Sequence, residues 1–394
     1  MLELFYGVII ADVMTYKGEV KMEHTLKIRR KVIKGFFAVT PLVFLLLFFL
    51  LKGNRTFMNF WVFEAAGPFE QTTGRLLSVF PFSVMEAVSV AGIAVGLIYL
   101  IYSFISFIRN RDGKKLFKRL SVIIIVCLWL LAAFYLLWNS VYCADNFKER
   151  SKMEIRPYSV EELARVTDYF AFKASQLAGE IKRDENGDWD ESLHACIQNA
   201  PQNYSFIEEE FPFLKMKKSV EVKPFYFSRW HSRLGFTGMY MPYTGEANIN
   251  IDAPGFLIPS TICHEMTHQR MVAPEDECNF AGITACCICD DKVFQYAGYM
   301  SGLIHLGNAL YPSAPVTWQY IVETNFNDEM SHDWKYNSQY WAQFDSPVEK
   351  AADAVYDKFL KSNGQELGKK SYGACVDLLI SYFLPEAEDF YKTK

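Results

Sequence analysis

Apolar residues crowd the front of the chain and thin out behind it. Residues 35–51, GFFAVTPLVFLLLFFLL, run for 17 positions without a charge, at the short end for a helix that crosses a bilayer. Pro41 lies inside this run, which membrane helices tolerate better than soluble ones. Residues 84–108 and 120–143 are longer apolar runs. The first holds only Glu86, near its start, and the second holds no charge. A signal peptide competes for the first run, because a basic stretch precedes it, but no small-residue cleavage site follows. The pattern predicts three spans within a membrane region covering 35–143.

Beyond about residue 144 the period changes. Ser159-Val-Glu-Glu162 has the spacing of a capping box, and Leu163, Val166, Phe170 and Leu177 continue at helical spacing to about Lys182. Asp184–Asp188 reads as a loop whose acidic spacing lacks the full calcium motif. Ser219–Lys223 and Pro224–Ser228 alternate as strands do. Gly238–Pro242 and Ala247–Ile251, joined by Thr244-Gly245, read as a hairpin. A helix is expected from about Ser260, capped by that serine, and another from Pro274 to about Tyr299. Residues 300–394 look helical with loops. The order of helices, small sheet and helices makes the rear an α+β domain over 150–394.

Composition adds orientation and exclusions. The chain has 394 residues with 51% hydrophobic and 22% charged, too apolar for a disordered chain. A net charge of -5 argues against a nucleic-acid partner, which calls for a basic surface. Lys27, Arg29, Arg30, Lys31 and Lys34 precede span one. Arg109, Arg111, Lys114, Lys115, Lys118 and Arg119 lie between spans two and three. The 52–81 linker holds only Lys52, Arg55 and Arg75. Positive flanks stay in the cytoplasm, so 1–34 is expected to be cytoplasmic and the 150–394 domain extracytoplasmic in the cell membrane. Residues 1–21 match no membrane pattern, and Met22 is an alternative start.

One short segment carries chemistry. His264-Glu265-Met-Thr-His268 is H-E-x-x-H, which puts two imidazoles about one helical turn apart on one face. Such a pair can hold one Zn²⁺, and the adjacent Glu265 can take a proton from water there as general base. With 7 His in the chain, chance gives this pattern in on the order of one such chain in a hundred, so coincidence is the weaker explanation. A third ligand is needed. Glu275, Asp276 and Glu277 follow seven to nine residues after His268, enough for a turn into a second helix. Glu275 is preferred over Glu277, because Glu275 and Asn279 share a helix face. One of that pair can bind metal while the other orients a ligating imidazole. The acidic trio also suits a helix N-terminus.

These residues, HEMTHQR followed by PEDECNF, resemble the membrane zincins of the domain-of-unknown-function 3810 family. The likeness extends to Pro242–Asn248, Tyr356–Gly364 and Ser371–Gly373. It implies a zincin-like metallopeptidase domain, mostly helical with a small sheet, behind three transmembrane helices. The E-x-x-[AC]-[ND] element also resembles glutamate zincins, which implies Glu275 as third ligand and Asn279 as its orienting partner. Two positions depart from the pattern: Met271 stands where the family has Gly, and Cys278 where it has Ala.

Other features remain secondary. Cys263, Cys278, Cys286, Cys287 and Cys289 are expected as small buried hydrophobes. No second C-x-x-C stands at zinc-finger spacing to Cys286 and Cys289. Candidates for stabilising an oxyanion are His231, Tyr240, Tyr311, His332, Tyr336 and Tyr372. Strand Ala247–Ile251 is expected as an edge that holds an extended peptide. The leading expectation is a membrane-anchored zinc metallopeptidase acting on a peptide or protein substrate. The alternative is a non-catalytic zinc-binding membrane receptor or assembly protein.

Overall fold

A computed structural model describes residue 29 and residues 32–363 and 372–393. The 1–21 segment and most of the first basic flank therefore lie outside the described residues. Among the described residues, three helices are long and apolar enough to cross a membrane. They are α1 (Val32–Leu51), α4 (Val84–Asn110) and α5, whose helical run covers Gly113–Asn139 with a π-turn at Tyr135–Asn139. Their apolar side chains face outward, as at Leu97, Ile98 and Ile101, the reverse of a water-soluble core. Span three thus begins before residue 120. Asp112 caps it by accepting the Lys115 N–H at 3.0 Å, and Val141–Cys143 forms a separate 3₁₀ turn.

The chain clusters into two units. One comprises residues up to 51 together with 95–136; the other comprises 52–94 with 137–394. In the first unit the Trp129 indole donates to the Phe37 carbonyl at 3.0 Å, a bond that favours these helices packing together in an apolar setting.

In the larger unit, α2 (Arg55–Phe60), a π-turn and α3 (Gly67–Leu77) fill the stretch between the first two spans. Short α6 (Phe147–Ser151) precedes α7 (Val160–Ala178) and α8 (Leu193–Glu210). Ser159 and Glu162 form the expected capping box, and α7 ends at Ala178, short of Lys182. Buried Phe170 on α7 meets Tyr299 and Phe383 edge-on at 5.1 and 4.9 Å.

The sheet has the order β1-β3-β2, with β1 at Lys223–Pro224, β2 at Gly238–Met241 and β3 at Glu246–Ile249. The hairpin register pairs Met239 with Asn248 and Tyr240 with Ala247. Two expectations fail here. Of the 219–228 stretch only two residues join the sheet, and α9 (Ser228–Arg233) follows. Because β1 pairs with β3 in parallel, the strand expected at 247–251 is central, and β1 and β2 are the edges. The hairpin turn packs tightly against α3. Gly245 has φ +63°, and a Cβ there would meet the Glu70 carbonyl oxygen at 2.0 Å, so glycine is required on both counts. Buried Glu246 pairs with Lys223 at 2.7 Å and accepts the Val84 and Met85 N–H groups, tying the sheet to the start of α4.

Helices α10 (Ile258–His268), α11 (Glu275–Ile288), α12 (Lys292–Ser313), α13 (Pro315–Asn325), α14 (Asp328–Ala342), α15 (Pro347–Ser362) and α16 (Tyr372–Thr393) complete the unit. The expected single helix over 274–299 is two. Asp291 caps α12 by accepting the Val293 and Phe294 N–H groups, which breaks the run after Cys289.

Candidate metal centre

Helix α10 starts from a 3₁₀ turn with Pro259 in its first turn. Ser260 is not the cap: it lies inside the helix, where its hydroxyl donates to the Leu257 carbonyl and meets the Ser301 hydroxyl at 2.6 Å. Four residues apart, His264 and His268 bring their Nε2 atoms to 3.1 Å. The Nδ1 of His268 lies 2.8 Å from the Val272 carbonyl oxygen. A carbonyl can only accept, so Nδ1 carries the proton and Nε2 keeps its lone pair for a ligand. Trp138 and Tyr240 hold the same ring, edge-on at 5.4 Å and stacked at 6.4 Å.

The chain then reverses sharply. Met271, at the position where the family pattern has glycine, takes φ +58°, the left-handed conformation that glycine adopts at least cost. Pro274 caps α11, and Glu275 is its first residue. Close approach of the two helices sets the ligand spacing: a Cβ on Gly282 of α11 would lie 2.8 Å from the His264 backbone nitrogen. Glu275 Oε2 lies 3.2 Å from His264 Nε2, and its Oε1 lies 3.7 Å from His268 Nε2. The three side chains form a group whose donor atoms all fall within 4.8 Å of one another.

Charge is distributed unevenly in this group. Burial pushes the Glu275 carboxyl up, but the neighbouring imidazoles and the Tyr356 hydroxyl outweigh it and hold it down at about 2. Burial lowers His264, yet bonding to Glu275, the charges of Glu275 and Glu265, and an Asn279 hydrogen bond leave it raised. Asn279 thus touches the imidazole it was expected to orient. Burial drives His268 down to about 4.

Glu265 is buried, and its Oε2 has no hydrogen-bond partner. Burial pushes its carboxyl up to about 8, partly offset by the His264 charge. Edge strand β2 passes against it: a Cβ on Gly238 would come within 2.4 Å of Glu265 Oε1.

Glu277 is not in the group. Its carboxylate accepts the Phe147 N–H at 2.7 Å and the Lys148 N–H at 3.3 Å, while Asp276 binds the Lys148 ammonium at 2.7 Å. Both acidic residues anchor α6.

The oxyanion candidates scatter. Tyr240 gives its hydroxyl to buried Glu70 at 2.7 Å. His231 stacks on Phe225 at 3.7 Å, and His332 meets Asp188 at 2.7 Å. Tyr311 is exposed, Tyr336 stacks on Tyr340, and the Tyr372 side chain lies outside the described residues. The hydroxyl that reaches the centre belongs to Tyr356 on α15, which donates to Glu275 Oε1 at 2.7 Å. Sequence reading passed over it, although it opens the family-like Tyr356–Gly364 stretch. His305, half-buried and close enough for the His264 charge to act on it, gave no signal in the sequence. The five cysteines expected in the core are buried there as free thiols.

No curated protein and no solved structure matches the chain. The profile of the family described as "Protein of unknown function (DUF3810)" matches residues 67–380, from α3 into α16. With most of its length inside that match, the chain belongs to the DUF3810 family.

Proposed function

We propose that this protein is a membrane-anchored zinc metallopeptidase with a zincin-like domain, and that His264, His268 and Glu275 hold the metal. The observation that carries this reading is donor spacing. Ligands 2.0–2.1 Å from a tetrahedral zinc lie about 3.3 Å from one another. The two imidazole Nε2 atoms lie 3.1 Å apart, the Glu275 carboxylate reaches them with one oxygen each at 3.2 and 3.7 Å, and a set of one donor atom per residue falls within 4.8 Å. Two imidazoles and a carboxylate are a ligand set that zinc accepts with one position left open.

When bound, zinc supplies a Lewis acid that polarises a peptide carbonyl and makes water easier to deprotonate. The chain supplies the rest. Glu265, raised to about 8 by burial, takes the proton from the attacking water on a carboxylate oxygen and passes it to the leaving amine nitrogen. The His268 ring is held in one tautomer by Val272. The free edge of β2 offers backbone groups to an extended substrate beside Glu265. Partial exposure of the His264 and Glu275 side chains, 15% and 22%, supports an open position over a closed structural zinc site. The basic residues before α1 and at the α4–α5 junction support an extracytoplasmic domain under the positive-inside rule.

The test is metal content of the full chain in detergent, followed by turnover of a peptide library. We expect about one zinc per wild-type chain, and none in His264→Ala or Glu275→Ala. Glu265→Gln keeps its zinc and loses activity by roughly a hundredfold or more. A folded wild-type chain without zinc, or full activity in Glu265→Gln, rejects the reading.

A further inference from the structure

A cleft of about 470 Å³ lies away from the histidines, lined by the π-turn and α3 on one side and by residues 213–217 on another. Five cationic side chains line it, namely Arg75, Arg150, Lys215, Lys217 and Arg270, against one carboxylate, Glu64. Arg270 is neutralised by Glu208. Lys215 and Lys217 have no carboxylate partner among the described residues. Such an excess has no use inside the fold and attracts an anion.

Arg150 shows that the cleft is built for one. Its guanidinium lies 4.1 Å from the Phe63 ring centre and 4.4 Å from that of Phe213, and both rings belong to the lining. Its Nη2 donates to the Phe213 carbonyl at 2.9 Å, while its Nη1 is buried without a partner. Burial pulls this guanidinium down to about 10 despite the charges of Asp145 and Glu277, so a nearby anion relieves it. A planar fork held between two rings is preorganised for phosphate oxygens.

The flanks of the cleft point to the source of that phosphate. Phe69 and Leu76 lie seven residues apart on one face of α3, and both are exposed. Val79, Phe80 and Phe82 follow, also exposed, and the chain then enters α4 at Val84. Every residue between Leu51 and Val84 is tethered at both ends to helices apolar enough to cross a bilayer. The segment that forms one wall of the cleft is therefore joined at both ends to spanning helices, and it carries exposed side chains suited to acyl chains.

We propose that this cleft binds the phosphate of an anionic phospholipid headgroup. The proposal does not depend on the peptidase reading. The net negative charge of the lipid matters, because a zwitterionic headgroup brings its own cation into a basic site.

The test uses the full chain in neutral detergent. Phosphatidylglycerol, phosphatidylcholine of the same acyl chains, and inorganic phosphate are each titrated, and bound ligand is read by native mass spectrometry. We expect phosphatidylglycerol to be retained where phosphatidylcholine is stripped. Removing two lysines as Lys215→Ala with Lys217→Ala weakens phosphatidylglycerol on the order of tenfold. Both lysines are exposed, so this variant folds even if Arg150→Gln does not. Equal retention of the two lipids overturns the proposal, as does wild-type retention in the double variant. Inorganic phosphate displacing phosphatidylglycerol at equal concentration overturns the lipid as source and leaves a soluble phosphate site.

Discussion

Helices α11 and α15 both reach the Glu275 carboxylate, yet they are embedded very differently. Helix α11 carries the carboxylate on a body whose residues 276–278 and 280–287 are all buried. Helix α15 brings the Tyr356 hydroxyl on a body of which only Leu360 is buried, with Val348 and Val355 open to solvent. The ligand set is therefore positioned by the core, at the stability of the whole unit. The hydroxyl is positioned by a thinly anchored helix that can open locally without unfolding the rest. The difference separates what must be rigid, a set of donors spaced for a cation, from what can come and go.

The strongest way to break this comparison is to wedge the rigid side. Gly282→Val places side-chain atoms where the His264 backbone already stands. We expect a loss of roughly 1–3 kcal/mol in stability and a failure to bind zinc, read by thermal unfolding and zinc titration. Wild-type zinc affinity in a folded Gly282→Val chain would mean that the α10–α11 spacing does not set the site.

Proton competition sharpens the same side. In the metal-free chain His264 is raised above its ordinary value. His268 is down at about 4 and Glu275 at about 2, so neither gains a proton near neutrality. Zinc must then displace the His264 proton, and the Glu265 carboxyl, raised to about 8, gives up its own beside the cation. Affinity rises with pH until both groups are unprotonated, then levels off. A chelator competition from acid to mildly basic pH checks this, and a flat profile contradicts it.

The loose side should respond least. Tyr356→Phe removes one hydrogen bond to Glu275 and leaves the ring contact with Phe236. We expect zinc affinity to fall by about tenfold with little change in unfolding temperature. If the variant unfolds several degrees earlier instead, α15 is part of the core and the contrast with α11 fails.

Local patterns in the sequence carried much of this. The four-residue spacing of His264 and His268 fixes a shared helix face. Pro274 followed by acidic residues marks a helix start, which brings Glu275 back towards the pair. Met271 was readable as a misfit, and its positive φ explains why glycine suits that place. What stayed hidden depends on pairing across long separations. Tyr356 lies far along the chain from Glu275, and no periodicity links them. Strand β3 looked like an edge because alternation over 219–228 does not say which strand that stretch pairs with, and only Lys223–Pro224 of it joins the sheet. The break between α11 and α12 falls at Asp290-Asp291-Lys292, a polar run short enough to pass for the exposed face of one helix, and only Asp291 marks the cap. The span linker reads as a spacer, yet its helix α3 packs backbone to backbone with the hairpin turn.

The nine cysteines are all unpaired, and seven of them are buried. No covalent cross-link narrows the ensemble that the chain visits when it unfolds. The fold then forgoes the denatured-state restraint that disulfides give small exported domains. Its advantage over the random chain comes wholly from the folded side, from a core large enough to outweigh the full conformational freedom of an unrestrained polypeptide.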